Sequence, residues 1–149
     1  MEESSEGISE SASRAARDLR VVVSRVRRRA KEVSDDGGLT PSQVSVLSRL
    51  GKEGTASASG LAAAERVRPQ SMAAILAALD ERGLIRRRPD PGDGRRQLVS
   101  LSDVGHATYQ GARQARTEWL TRAFQDRYTE DERRAINEAL VLLERLTDA

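Results

Sequence analysis

From Leu61 to Ser102 the chain runs without interruption through an Ala-rich amphipathic stretch, the basic segment Gly83-Leu84-Ile85-Arg86-Arg87-Arg88, and the turn Pro89-Asp90-Pro91-Gly92-Asp93-Gly94-Arg95-Arg96. Few folds accept that order. A helix of this kind is sized for the DNA major groove, and an arginine-tipped hairpin directly after it reaches a minor groove or the phosphates.

The flanking segments read as helices. Ile8, Ala12, Ala15, Leu19, Val22, Val26 and Val33 are spaced by alternating fours and threes, which predicts a first helix with a nearly heptad seam. Its other faces carry arginines, so the seam is expected to pack on another helix of the same chain or a partner. Ser34-Asp35-Asp36-Gly37-Gly38 breaks it. Thr40-Pro41-Ser42-Gln43 supplies an N-cap, a proline at the first helical position and a glutamine placed to close a capping box, ahead of Val44, Leu47 and Leu50. That second helix is expected to stop between Gly51 and Gly54. Ser57 or Ser59 caps a short third helix through Leu61 and Ala64. A fourth starts near Pro69, buries Met72, Ile75, Leu76 and Leu79, and ends at Gly83.

Two strands follow, Leu84 to Arg88 and Gln97 to Leu101, with Val99 and Leu101 on one face. Ser102 caps a long helix holding Val104, Tyr109, Ala112, Trp119, Leu120 and Phe124. Thr129 with Glu132 opens a last one carrying Ile136, Ala139, Leu140, Leu143 and Leu146. The expected fold is mainly α with a small β-hairpin wing: a winged helix-turn-helix lobe over residues 40–101 and a helical region over 8–34 and 102–149. These form one domain, 8–149, behind a disordered acidic tail, 1–7.

Charge is strongly patterned beneath a net of +2. Met1 to Glu10 has four acids and no base, whereas Arg14 to Lys31 has eight bases against Asp18 alone. Arg82 to Arg96 has six arginines against Asp90 and Asp93; Asp126 to Ala149 has four arginines against seven acids. Arginine forms planar, bidentate contacts with phosphate and guanine edges, which favours a nucleic-acid partner. Aromatic residues are only 3%, so the core is mostly aliphatic and a partner chain would help bury it. The chain has no cysteine, which excludes disulfides, thiolate metal sites and thiol switches, and gives no sign of an oxidising compartment. No aliphatic run approaches a membrane span, so the expected location is the cytoplasm. His106 is the single histidine, so neither a zinc cluster nor a serine-protease triad can be assembled, and no phosphate-binding glycine loop is present. No cofactor is expected, and the chain does not read as an enzyme.

Two motifs give the sequence a close resemblance to the MarR-type (multiple-antibiotic-resistance) transcriptional regulators, over nearly the whole chain. The first is Leu61-Ala62-Ala63-Ala64-Glu65-Arg66-Val67-Arg68-Pro69-Gln70-Ser71 leading to Leu79-Asp80-Glu81-Arg82-Gly83-Leu84-Ile85. The second, more specific, is the wing Asp90-Pro91-Gly92-Asp93-Gly94-Arg95 leading to Val99-Ser100-Leu101-Ser102. Asp93, Arg95, Val99 and Leu101 match that family's wing directly. The resemblance implies a homodimer built from the first and last two helices, which makes 8–34 and 102–149 a helical dimerisation region, with two winged lobes on successive turns of a pseudo-palindromic operator in double-stranded DNA. It also implies that Arg95 is the wing-tip arginine of the minor groove and that Asp93 holds it in shape, with a charge-assisted Asp–Arg hydrogen bond as the physical reason.

Three departures stand out. Gly94 occupies a usual Arg position and Arg96 a usual Ala, which moves the second wing charge along the strand. Ser102 replaces Thr. Ala73 and Ala74 stand where Thr and Arg are common, leaving Arg68, Gln70 and Ser71 as the polar contributors of the recognition helix, where Gln suits adenine and alanine methyls suit thymine methyls. Arg86 and Arg88 are expected to add phosphate contacts, since strand alternation cannot aim Arg86, Arg87 and Arg88 all at DNA. The family's small aromatic or anionic effector is implied as well, with Val44, Tyr109 and Trp119 as candidate ligand-binding residues; the lack of cysteine argues against thiol sensing. The sequence therefore reads as a dimeric, sequence-specific DNA-binding regulator, a repressor released by an effector. The alternatives are a nonspecific architectural DNA binder, kept open by the Ala-rich recognition helix, and a winged helix that binds protein only.

Overall fold

Two capping boxes fix the helix starts that the sequence marks most clearly. The computed structural model describes residues 7–34 and 36–148. Thr40 Oγ1 accepts from the Gln43 amide while the Gln43 side chain accepts from the Thr40 amide, and Thr129 and Glu132 do the same. These open α2 (Pro41–Glu53) and α6 (Glu130–Glu144). The remaining elements are α1 (Glu10–Val33), β1 (Ala56–Ser57), α3 (Ala58–Glu65), α4 (Pro69–Glu81), β2 (Ile85–Pro89), β3 (Gln97–Leu101) and α5 (Asp103–Arg127). Mainly helical, with a small antiparallel sheet, the chain has the winged-helix class of fold that its sequence predicts.

The chain divides into two compact units, residues 35–115 and the pairing of the segment up to 34 with the segment from 116. In the first, Val46, Leu47 and Leu50 of α2, Leu61 and Ala62 of α3, and Met72, Leu76 and Leu79 of α4 close on Leu84, Ile85, Val99, Leu101 and Tyr109. Ile75, expected in this core, is only partly buried at its margin. The sheet order is β1-β3-β2, all antiparallel, with Ala56 opposite Val99 and Arg87 opposite Val99 from the other side. β1 was not expected: two residues are too few for alternation to be visible. Ser57 ends β1 and also caps α3 by accepting from the Gly60 amide, which settles the choice between Ser57 and Ser59. Ser102 caps α5 by accepting from the Gly105 amide, and its hydroxyl donates to the Gly83 carbonyl, tying the end of β3 to the turn before β2.

In the second unit α1 begins at the N-cap Ser9, so Ile8 lies outside the helix and is exposed; Leu146 likewise falls beyond α6. Ser34 is buried, accepting from the Arg116 guanidinium at 3.4 Å. Arg133 donates back to the carbonyls of Phe124, Gln125 and Tyr128, satisfying the end of α5. Neither α1 nor α6 contains a buried residue, and Val22, Val26, Leu140, Val141, Leu142 and Leu143 are all exposed. Residues 1–6 of the expected acidic tail lie outside the described residues.

Candidate nucleic-acid interface

The face of α4 turned away from the core follows from its buried positions. Met72, Leu76 and Leu79 point inward at helical spacing, which leaves Gln70, Ala73, Ala74 and Ala77 as an exposed ridge with Ser71 beside it. Arg68 is the N-cap in extended conformation, with no side-chain capping bond, and Pro69 starts the helix. The predicted trio Arg68, Gln70 and Ser71 therefore clusters, exposed, at the N-terminal end of the ridge. Ahead of it, Arg66 closes α3 in the left-handed region at φ 55°, the one positive-φ residue other than glycine among the described residues. Its guanidinium is exposed and has no acceptor among the described residues. Arg66 is a candidate contact that sequence reasoning left out, because nothing in the sequence marks a left-handed position that is not glycine or asparagine.

Residues 89–96 form two consecutive tight turns. The Asp93 amide donates to the Asp90 carbonyl at 3.2 Å and the Arg96 amide to the Asp93 carbonyl at 2.9 Å, while the Asp90 amide donates to the Arg96 carbonyl at 2.8 Å and closes the hairpin. Each aspartate adds a bond to the backbone two residues on: Asp90 Oδ1 accepts from the Gly92 amide and Asp93 Oδ1 from the Arg95 amide. Asp93 thus meets Arg95 through its main chain, not through the guanidinium that charge pairing suggested. The carboxylate shapes the turn, and the Arg95 side chain projects, exposed, with no acceptor among the described residues.

The other wing arginines divide by strand parity and by partner. Arg87 shares the face of buried Ile85 and lies 3.5 Å from Asp80 of α4. Arg86 and Arg88 occupy the opposite face; Arg86 pairs with Asp103 at 3.3 Å, and Arg88 has no partner among the described residues. Arg96 donates to Ser57 Oγ at 2.9 Å, the same oxygen that caps α3. Beneath these elements Glu65 of α3 accepts from Arg49 Nε at 2.9 Å and from Ser45 at 2.9 Å, locking α3 to α2. The hydrogen bond from Arg49 holds the Glu65 carboxyl below the usual range against an opposing desolvation cost, with Ser45 assisting.

The three candidate effector residues are divided between the two units. Tyr109 is buried in the lobe core, its ring so close to Gly51 that a Cβ there would stand 2.6 Å away. Val44 is half-buried on α2 of the same unit, and Trp119, also half-buried, belongs to the other unit. Among the described residues no group of acids and histidines could hold a metal ion, and no helix is long and apolar enough to cross a membrane.

A helix-turn-helix whose second helix is exposed along an uncharged ridge, followed by an arginine-tipped hairpin, defines a winged helix-turn-helix DNA-binding protein. The sequence profile described as MarR family matches residues 39–96, from the start of the lobe to the wing. An uncharacterised HTH-type transcriptional regulator of Mycobacterium leprae is 40% identical over 111 residues, covering 74% of this chain and 78% of its own. A Pseudomonas aeruginosa protein assigned to the transcriptional regulators is 36% identical, with a TM-score of 0.77 over 93% of this chain and 98% of its own. A mutant of MepR from S. aureus, solved bound to an oligodeoxyribonucleotide, shares the fold at 16% identity, with a TM-score of 0.68 over 89% of this chain and 97% of its own. The chain belongs to the MarR family of DNA-binding transcriptional regulators, which are not enzymes.

Proposed function

We propose that the protein is a cytoplasmic, homodimeric repressor that binds a pseudo-palindromic operator sequence-specifically and releases it on binding a small aromatic or anionic effector. The observation that carries the DNA-reading part is the exposed polar end of α4, Arg68, Gln70 and Ser71, next to a wing whose tip arginine is held out by an ordered double turn. Direct readout falls to Gln70 and Ser71, minor-groove and phosphate contact to Arg95, and further phosphate contacts to Arg68, Arg86, Arg88 and Arg96, with Asp93 keeping the tip in shape. Dimerisation is supported by the aliphatic side chains that α1 and α6 leave exposed, a surface that a second copy would take out of water. The MepR mutant of the same fold, solved bound to an oligodeoxyribonucleotide, supports DNA as the ligand of this lobe. Val44, Tyr109 and Trp119 remain the proposed effector contacts. Because Tyr109 is core, its ring would act there by shifting α2 and α5 rather than by exposing itself.

A second reading, a nonspecific architectural DNA binder, is favoured by one feature: Ala73, Ala74 and Ala77 give the ridge of α4 no hydrogen-bonding group beyond Gln70 and Ser71. Fluorescence anisotropy on DNA from around the coding locus, against scrambled DNA of equal length and across a salt series, separates the two. A preference of about 10³ or more for the native segment, lost in Arg95→Ala, is expected for the regulator. Equal, steeply salt-dependent binding to both would assign the architectural role.

A further inference from the structure

Helix α1 carries a basic face that the DNA-reading lobe does not account for. All eight bases from Arg14 to Lys31 are exposed. The carboxylates of Asp18 and Glu32 are taken up by Arg14 and Arg29, and Glu10 sits in the first turn. Of the other six bases, none with an acceptor among the described residues, Arg25 stands to one side of Arg17, Arg20, Arg27, Arg28 and Lys31. At about 100° per residue these five fall within an arc of about 100°, and they run for about 21 Å along the axis. The opposite arc holds Ala12, Ala15, Leu19, Val22, Val26 and Val33, so the basic stripe stays outward when the apolar one is covered.

We propose that this stripe is a second, sequence-independent phosphate-binding surface that takes duplex DNA outside the stretch gripped by the winged lobes. The inference rests on the DNA-binding reading of the lobe. Three features select duplex backbone over other polyanions. Four of the five bases are arginines, whose fork matches phosphate oxygens. The stripe has no Asn or Gln to read adenine and no aromatic ring to stack an unpaired base, so single-strand binding is not built in and its arginines have no partner residue that would fix them on base edges rather than on phosphates. An interfacial membrane helix would also need a bulky apolar face free for lipid, whereas that of α1 is mostly Ala and Val and is the one offered to the second copy.

The test is the salt dependence of binding to random-sequence duplexes of about 20 base pairs, the length of two half-sites, and of about 60. Wild type is compared with a variant carrying Arg17→Gln, Arg20→Gln, Arg27→Gln and Arg28→Gln, with the same four positions changed to Lys, and with the Arg17→Gln/Arg20→Gln double variant. On the long duplex the slope of log K against log salt should become shallower by about 7 in the fourfold Gln variant, which removes four contacts from each protomer of the dimer, and by about half that in the double variant, at roughly 0.9 per phosphate contact. The Lys variant should keep the wild-type slope, and the short duplex should show little change. Circular dichroism and light scattering establish that each variant is folded and in the wild-type assembly; if the fourfold variant is not, the double variant decides. An unchanged long-duplex slope overturns the proposal, and loss of binding to phosphatidylserine vesicles in its place would assign the face to lipid. Arg95→Ala should weaken binding to both duplexes while leaving the difference between their slopes intact. Wild type that binds neither duplex would sink the lobe reading and this inference together.

Discussion

Replacing Gly105 with alanine should unfold the lobe more readily than any other single-methyl addition to α5. A Cβ built on Gly105 collides with the carbonyl oxygen of Leu84, stands 3.0 Å from its carbon and 3.3 Å from Leu101 Cδ2. The obstacle is main chain, so no rotamer change relieves it. That carbonyl also accepts from the Ser102 amide at 3.0 Å, and the neighbouring Gly83 carbonyl accepts from the Ser102 hydroxyl. Moving β2 away therefore costs an overpacking term of about 1–3 kcal/mol and about 1 kcal/mol for a weakened hydrogen bond. The usual gain of about 0.5–1 kcal/mol for Gly to Ala within a helix offsets part of this, leaving a loss of about 1–3.5 kcal/mol. At about 2–4 °C per kcal/mol for a chain of this size, Tm should fall by roughly 2–14 °C. Thermal unfolding followed by far-UV circular dichroism, at one protomer concentration because dimerisation makes Tm concentration-dependent, measures it. Gly111→Ala is the control: it lies on the same helix with nothing within 4 Å, and should leave Tm unchanged or raise it. If Gly105→Ala behaves like Gly111→Ala, the close approach of α5 to β2 is refuted.

Two further outcomes follow from the helix-turn-helix. Glu65 has its pKa lowered from the ordinary 4.5, chiefly by the hydrogen bond from Arg49, so its ionised form stabilises the fold above that value. This contribution disappears as pH falls from about 4.5 through the lower folded value. Urea unfolding at stepped pH should show that extra decline in wild type and not in Glu65→Gln, and parallel curves would disprove it. Arg66→Gly relieves a left-handed residue at about 1–2 kcal/mol against glycine's entropy cost of about 0.5–1, so stability should hold or rise slightly. The salt slope for DNA should meanwhile become shallower by about 1.8, one phosphate contact from each protomer of the dimer; an unchanged slope would remove Arg66 from the interface.

The parts of this fold that were legible in the sequence are those set by neighbours a few residues apart. Thr40 with Gln43 and Thr129 with Glu132 are capping boxes in the sequence and in three dimensions, and Pro41 and Pro69 start their helices where proline's missing amide costs nothing. Periodicity alone overran its limits: Ile8 and Leu146 continue an apolar pattern past the cap or final turn that ends the helix. β1 escaped because it owes its existence to pairing with β3, some forty positions away. The same distance hid what the wing arginines touch. Alternation already separates Arg87 from Arg86 and Arg88, but the partners Asp103 and Ser57, 17 and 39 positions from Arg86 and Arg96, are brought close only by the sheet.

Those partners divide the labour of the wing. Arg87, with a side chain 29% exposed against Asp80, fastens β2 to α4 and is poorly placed to leave. Arg96 shares Ser57 Oγ with the α3 cap, so the base of the wing and the first helix of the helix-turn-helix are held through one oxygen. Arg86 and Asp103 are 66% and 94% exposed, and an ion pair so open to water is worth about 0–1 kcal/mol. Its guanidinium can exchange that carboxylate for a phosphate at little cost. Arg88 and Arg95 have no partner among the described residues to give up. In the proposed complex the wing presents Arg95 at its tip, Arg88 on its outer face and Arg86 on demand, while Arg87 keeps the hairpin aimed and Arg96, anchored on Ser57, would reach a phosphate from the base of the wing. With an alanine ridge on α4 that adds no charge of its own, the proposed complex would draw most of the lobe's salt-dependent affinity from the wing, and its base discrimination from Gln70, Ser71 and the groove that Arg95 is proposed to enter.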